Sequence, residues 1–275
     1  MKLVLLVVLF IQVIQAQEDT RVKRSLYEVG AGGFYSQLPD YPGSENFRAR
    51  WLVIPFFRYR GKNFRSDDEG TRAIFNQSKS LKIEFSFGGN FPATSSGNKT
   101  REGMDDLDFL FEVGPRIAYE FYKDETGRIR VQLPLRGAFA TNLNFMELDF
   151  FVKRQGTITG PEFQFERILS PHWEFNYWLS LNYLDEGYSD YFYEVKERDE
   201  RTNRPRYNAK GGFLGYDHSA GFLLRTENLR LFLGVRYSDY REAEMRDSPL
   251  FKNAENTVAF MGMTYIFKKS KELED

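Results

Sequence analysis

Asp217-His218-Ser219 brings the three residue types of a hydrolytic triad together at one point of the chain. A Ser–His–Asp relay needs hydroxyl, imidazole and carboxylate side chains that converge. Neighbours on an extended strand point to opposite faces, so Asp217 and Ser219 share one face and His218 takes the other. The three cannot form the relay with each other, and no catalytic residue is assigned. The second histidine, His172, follows Pro171 in a turn and reads as a surface residue. Carboxylates cluster at Asp67-Asp68-Glu69 and Asp105-Asp106; they could hold a divalent cation or act as acids, but loop clusters of this kind read first as solvated. Gly88-Gly89 and Gly211-Gly212 flank strand-like segments with no helix behind them, so they read as turns or bulges and not as phosphate loops. The absence of Cys from all 275 residues excludes disulfides, thiolate zinc sites, iron–sulfur clusters and cysteine nucleophiles, and two His leave little for a metal centre. No cofactor or metal is expected.

More informative are two rows of mixed charge, Glu112, Arg116 and Glu120, and then Arg128, Arg130 and Arg136. They stand at alternate positions of segments whose other face is apolar. From Phe109 to Phe121 the odd positions read Phe, Phe, Val, Pro, Ile, Tyr, Phe. From Arg128 onward, Ile129, Val131, Leu133 and Leu135 oppose the arginines. Leu81 to Phe87, Trp173 to Tyr183 and Leu229 to Tyr237 alternate in the same way. Period two places one face of each segment in an apolar medium and the other in a polar one, which specifies strands. No comparable stretch has helical spacing, and the chain reads as all-β.

About twelve strands are expected, near residues 27–35, 48–60, 64–75, 79–88, 107–122, 128–139, 143–152, 157–168, 173–184, 212–226, 229–240 and 256–267. An even number suits an antiparallel up-and-down barrel. The turns Asp124 to Gly127, Ser170 to His172 and Thr226 to Asn228 are short, whereas 89–106 and 185–211 are long and polar.

A soluble sandwich with its apolar faces inward and a membrane barrel with those faces outward both satisfy period two. Charged rows suit a wet or salt-bridged lumen, and equally the outside of a soluble protein. Segments of ten to thirteen residues match the roughly 9–11 tilted residues that cross a bilayer, whereas typical strands run to about five or six. Trp173, Tyr183, Phe109, Tyr119, Phe121, Tyr265 and Phe267 stand near strand ends, where interfacial girdles form. A transmembrane barrel in contact with outer-membrane lipid is the favoured reading.

Composition agrees with it. Aromatics make up 17% of the chain, yet mean hydropathy is −0.52, as when lipid-facing and lumen-facing residues alternate. Lys and Arg number 38 against 39 Asp and Glu, a formal net charge of −1, so no basic field exists to hold nucleic acid. Met1-Lys2, an apolar run from Leu3 to Ile11 and the small Ala16 describe a secretory signal peptide cut between Ala16 and Gln17. The expected organisation is a signal peptide (1–16), an outer-membrane β-barrel (17–267) and a charged C-terminal tail (268–275).

Arg236 to Phe251, with Ser248-Pro249-Leu250 leading into a last strand that ends Gly262-Met263-Thr264-Tyr265-Ile266-Phe267, resembles the C-terminal hairpin of the MipA/OmpV family of outer-membrane proteins. Tyr41-Pro42-Gly43-Ser44 followed by Pro55 is similar to that family's opening signature, and Val113-Gly114-Pro115-Arg116 to its central one. The likeness runs from about residue 27 to 267. Two features depart from it: Phe267 is followed by eight further residues, and Tyr191 to Val195 only loosely matches the family's aromatic stretch, while the charged run Lys196 to Arg206 after it looks like an enlarged, solvated loop. The resemblance implies a non-catalytic outer-membrane barrel of a Gram-negative bacterium. For the family's best-known member it implies a scaffold joining a lytic transglycosylase to a murein synthase; other members are treated as porin-like. The charged rows would suit a narrow channel for small solutes.

Overall fold

In the computed structural model, residues 26–60, 64–67, 70–73, 80–142 and 151–270 are described. The signal segment with Ala16 and Gln17, residues 143–150 of one expected strand, Asp68, Glu69 and positions 271–275 of the tail lie outside them.

The described strands are β1 (Tyr27–Pro39), β2 (Phe47–Arg60), β3 (Phe64–Asp67), β4 (Gly70–Ala73), β5 (Leu81–Asn90), β6 (Phe109–Asp124), β7 (Gly127–Thr141), β8 (Val152–Thr159), β9 (Glu162–Ile168), β10 (Trp173–Leu184), β11 (Gly212–Arg225), β12 (Leu229–Asp239) and β13 (Glu255–Lys269). They form one antiparallel sheet in the order β4-β3-β2-β1-β13-β12-β11-β10-β8-β7-β6-β5. β4 lies against β5, which brings the two ends of the sheet together. β8 and β9 both run between β7 and β10: β8 pairs with Leu135 to Thr141 and β9 with Gly127 to Gln132 of β7. They are therefore one stave of the barrel, interrupted at Gly160-Pro161, where proline cannot donate to a ladder. Twelve staves result.

The total of twelve conceals two differences from expectation. In place of one strand over 64–75, the described residues there form the two short antiparallel strands β3 and β4, with Asp67 paired to Gly70, and residues 74 and 75 lie outside the described ones. The described part of 143–152 contributes only the first residue of β8. The last strand also continues past Phe267 to Lys269, and Ser270 Oγ accepts from the Leu26 amide at 2.7 Å, tying the two ends of the barrel wall together.

The sheet is inside out relative to a soluble barrel. Along β5, Leu81, Ile83, Phe85 and Phe87 are exposed while Lys82, Glu84 and Ser86 are buried. Trp51 is 74% exposed and Glu84 only 2%. Burying carboxylates while exposing tryptophan stabilises a chain only if the exterior medium is apolar. No helix among the described residues is long and apolar enough to cross a membrane; the strands do so. Eight of them, β1, β2, β6, β7 and β10 to β13, have 11 to 16 residues each.

The two rims differ. Tyr27, the turns after β6, β9 and β11, and Lys269 stand at one rim. The connections 40–46, 91–108, 185–211 and 240–254 stand at the other. Short turns face the periplasm and long loops the outside in barrels of this kind.

Candidate functional site: an ion-paired lumen beneath a folded cap

Inward positions of β5, β6, β7 and β9 carry a network of closely spaced groups of paired charges. Lys82 Nζ lies 2.6 Å from Glu120, which also meets Arg128 at 3.9 Å; Arg128 reaches Glu166 at 2.6 Å. Glu84 receives Arg116 at 2.5 Å and Arg130 at 3.5 Å. Arg136 bridges Glu112 at 3.3 Å and Glu162 at 3.6 Å. Arg130 Nε donates to Gln164 Oε1 at 2.6 Å, and Gln132 donates to Glu162 at 2.7 Å. All six charged residues of the two rows are in this network. Lys82, Arg116, Arg128, Arg130 and Arg136 face Glu84, Glu112, Glu120, Glu162 and Glu166, so the formal charges cancel. Burial of such groups is tolerable only when each is paired and hydrogen-bonded.

The opposite wall is built differently. Glu28 takes Arg230 at 2.7 Å and Arg58 at 3.3 Å, and both guanidinium groups lie over the Phe56 ring, 5.6 and 5.2 Å from its centroid. Arg225 pairs with Glu174 at 2.7 Å. Between the walls a cavity of about 310 Å3 is bordered by Phe56, Trp178 and Phe232 together with Arg58, Arg225 and Arg230. Alternation already placed Lys82, Glu84 and Glu174 on the polar face. Arg230, in the alternating Leu229 to Tyr237, was placed there too, whereas Glu28, Arg58, Glu162, Glu166 and Arg225 become legible only through strand register.

At the long-loop rim the connections fold into a cap with a core of its own. Segment 185–211, expected as a polar loop, contains the helix α1 (Glu186–Tyr193). Asp185 caps it by accepting from the Tyr188 amide at 2.9 Å. Its aromatic face, Tyr188, Phe192 and Tyr193, is buried. Gly156 of β8 has φ +153°, and a Cβ there would stand 2.2 Å from the Tyr188 nitrogen, so only glycine lets the helix seat against the wall. The run Lys196 to Arg206 is not wholly solvated: Arg204 is buried and donates to the Asp199, Thr100 and Glu102 carbonyls.

Three segments singled out in the sequence meet in this core. Tyr41 stacks on Phe192 at 6.0 Å, and its hydroxyl donates to the Leu250 carbonyl at 2.8 Å. Tyr193 donates to the Pro42 carbonyl at 2.9 Å, while Ser248 Oγ donates to the Tyr193 carbonyl at 2.7 Å. Gly43, at φ +81°, lies under the Phe251 ring, where a Cβ would come within 2.7 Å. Asp40 holds the base of the cap by taking Arg48 at 2.8 Å and accepting from Asn46 and Asn98 at 2.8 and 2.9 Å. Desolvation pushes the Tyr41 hydroxyl up to about 12, against the opposing influence of Arg101.

The description of the family model that matches residues 29–267 is "MltA-interacting protein MipA". The chain belongs to the MipA family. A MipA-family relative in Escherichia coli (strain K12), YiaT, is named as an outer membrane protein; it is 23% identical over 244 residues, 87% of this chain and 90% of YiaT. The corresponding YiaT of Escherichia coli O157:H7 gives the same figures. Among solved structures, the COG4313 outer membrane channel from Pseudomonas putida F1 is 10% identical with a TM-score of 0.43, covering 92% of this chain and all of that one. The CymD monoaromatic hydrocarbon channel is 8% identical with a TM-score of 0.37, covering 89% of each chain. This MipA-family barrel is an outer-membrane protein of the Gram-negative type.

The remaining motifs are held in local hydrogen bonds. Asp217 and Ser219 face inward and His218 outward. Asp217 accepts from Asn182 at 2.7 Å and from Ser238, and Ser219 Oγ accepts from Arg236 at 3.2 Å. His172 is exposed, with Nδ1 at 3.0 Å from the Arg225 carbonyl. Asp106 accepts from the Ser95 amide at 2.6 Å, which holds its carboxyl below the usual range.

Proposed function

We propose that this protein is a non-catalytic outer-membrane barrel whose lumen is closed to bulk flow and which serves as an adaptor for murein enzymes at its periplasmic rim. What supports this reading is the folded cap at the long-loop rim, together with the paired charges on one side of the lumen. The cap buries inward residues on several staves directly beneath it, among them Ser36, Asn256, Ser238, Asn182 and Glu112, and the charge network crosses one side of the lumen below. A barrel that conducts little has its rims as working surfaces, and the family description names interaction with MltA. The partners inferred are a lytic transglycosylase and a murein synthase, docking on the short turns around Glu125, Pro171 and Glu227 and on the tail after Lys269.

Because the native chain contains no Cys, Glu125→Cys offers a single site for a photo-crosslinker. Irradiation of intact envelopes is expected to capture a murein hydrolase at Glu125→Cys and not at a cap position such as Lys99→Cys. Equal capture at both positions, or none at either, contradicts the adaptor reading. The 310 Å3 cavity, with aromatic and guanidinium walls, favours a second reading as a narrow passage for small solutes; conductance separates the two.

A further inference from the structure

The floor of the lumen departs from the polar character of the inward face. Along β10 the inward positions read Glu174, Asn176, Trp178, Ser180 and Asn182, and Trp178 is only half-buried. Phe56 of β2, Leu223 of β11 and Phe232 of β12 stand around the same cavity. Aromatic surface turned toward a wet lumen costs free energy until something apolar covers it. Trp178 and Phe232 meet at 71° with centroids 6.5 Å apart, and so make two sides of a corner. The cavity's 310 Å3 lies at the lower end of the roughly 300–1,000 Å3 of small-molecule sites.

Gly262 of β13 makes a further side. It is on the inward face, between its strand partners Phe232 of β12 and Phe34 of β1. Glycine weakens the interior of a strand and often marks close approach by a ligand or another backbone. Gly221 and Gly234 are explained by packing, since an added Cβ would come within 2.6 Å of the Leu233 carbonyl oxygen and 2.7 Å of the Phe260 ring. At Gly262 the same Cβ would meet nothing nearer among the described residues than the Gly33 carbonyl oxygen at 3.5 Å and Phe232 Cβ at 4.0 Å. Those are ordinary contacts, and the backbone there is not left-handed. The glycine leaves open space in front of the two rings.

Polar groups of both kinds border this space. Gln164, Glu166, Glu174 and Asn176 bring acceptors, and Arg58, Arg225 and Arg230 bring donors. The guanidinium groups are held by carboxylates, Arg58 and Arg230 by Glu28 and Arg225 by Glu174, so the site is not built around a lone charge. It suits a neutral ligand with an apolar face and a rim that both donates and accepts. A pyranose ring has that layout, C–H bonds on its face and hydroxyls around its edge. Glu174, Arg225 and Arg230 stand at or next to the short-turn ends of their strands, and the Arg225 side chain is 31% exposed, which puts the mouth of the cavity on the periplasmic side.

We infer that this cavity binds a saccharide from the periplasm, with one pyranose ring against Trp178 and Phe232 in the space over Gly262 and its hydroxyls among Asn176, Gln164 and the guanidinium groups. A free sugar and a unit of a glycan strand share this chemistry. Binding from below requires neither passage of solute through the cap nor docking of a protein at the rim, so it is measured separately from both.

Trp51→Phe with Trp173→Phe leaves Trp178 as the sole tryptophan of the chain. This protein, in a detergent without a sugar headgroup, is titrated with N,N′-diacetylchitobiose, with cellobiose and with cyclohexanecarboxylate, a six-membered ring that carries a charge and no hydroxyls. Folding of each variant is checked by heat-modifiable gel migration. A saturable blue shift of Trp178 emission is expected with a disaccharide. Tighter binding of diacetylchitobiose assigns the site to a glycan strand, and tighter binding of cellobiose to a free sugar. Gly262→Leu should abolish the shift and the milder Gly262→Ala weaken it, whereas Met261→Leu, on the outward face beside it, should leave it unchanged. Asn176→Leu should weaken binding about fivefold, as for the loss of one hydrogen bond. The inference is overturned by no shift with either disaccharide, by an equal shift in Gly262→Leu, or by tighter binding of cyclohexanecarboxylate.

Discussion

The Tyr188 hydroxyl donates to a Glu112 carboxylate oxygen at 2.7 Å, and this bond ties the helix of the cap to the wall of the lumen. Glu112 also pairs with Arg136, so cap and charge network share one residue. Tyr188→Phe removes the tie without removing the ring. A lost hydrogen bond to a charged group costs about 1.5–3 kcal/mol. The expected result is faster protease cleavage within 194–206 while the barrel keeps its heat-modifiable migration. Unchanged cleavage would show that the aromatic core alone seats the cap.

Glu84 is the most buried of the network's carboxylates and faces two arginines. Removing one partner from a buried ion pair leaves an uncompensated charge and costs roughly 3–5 kcal/mol. Glu84→Gln should therefore lower the temperature at which the folded gel band converts to the unfolded one. Exposed Glu200→Gln in the cap should leave it unchanged.

Gly156 makes a sharper claim about the helix. Its φ of +153° and the 2.2 Å approach of the Tyr188 nitrogen exclude a side chain. Gly156→Ala is expected to unseat α1 and expose 185–211 to protease, with the lower half of the barrel intact. Cleavage at the wild-type rate would contradict the described seating of α1.

Asp190, on the same helix, gives a pH dependence. Desolvation first, and then the carboxylates of Glu194 and Glu186, raise its pKa to about 6, against about 3.9 in an unfolded chain. The folded cap therefore binds this proton more tightly than the unfolded chain does. As pH rises from about 4 to about 6 the cap loses stability through Asp190, and it regains it on acidification. Proteolysis of the cap should be slower at pH 5 than at pH 7.5. Asp190→Asn should flatten that difference and protect the cap at pH 7.5.

How much of this was readable in the sequence depends on the range of the interaction. The alternation of Leu81, Ile83 and Phe85 with Lys82, Glu84 and Ser86 reports the two media directly, since it needs only the period of a strand. Which charges meet is another matter: Glu84 and Arg130 are joined through the β5–β6–β7 register, with β6 shifted between Glu120 and Tyr122. The hairpin β3–β4 added one stave to the expectation and the described part of 143–152 took one away, so the sum was unaltered. α1 escaped notice because eight residues with a glycine in the first turn have little intrinsic helicity; its stability comes from the Asp185 cap and from Phe192 against Tyr41. Tyr41 to Ser44 and Ser248 to Phe251 were visible as motifs, yet their meeting in one core came from the fold.

The proposed closure of the lumen is the central claim, and single-channel recording in planar bilayers tests it most directly. Purified, heat-modifiable wild-type protein is expected to give no sustained open steps, and Tyr188→Phe combined with Gly156→Ala to give them. Steady conductance from the wild type, equal to that of the double variant, would contradict the closed barrel and favour the passage for small solutes.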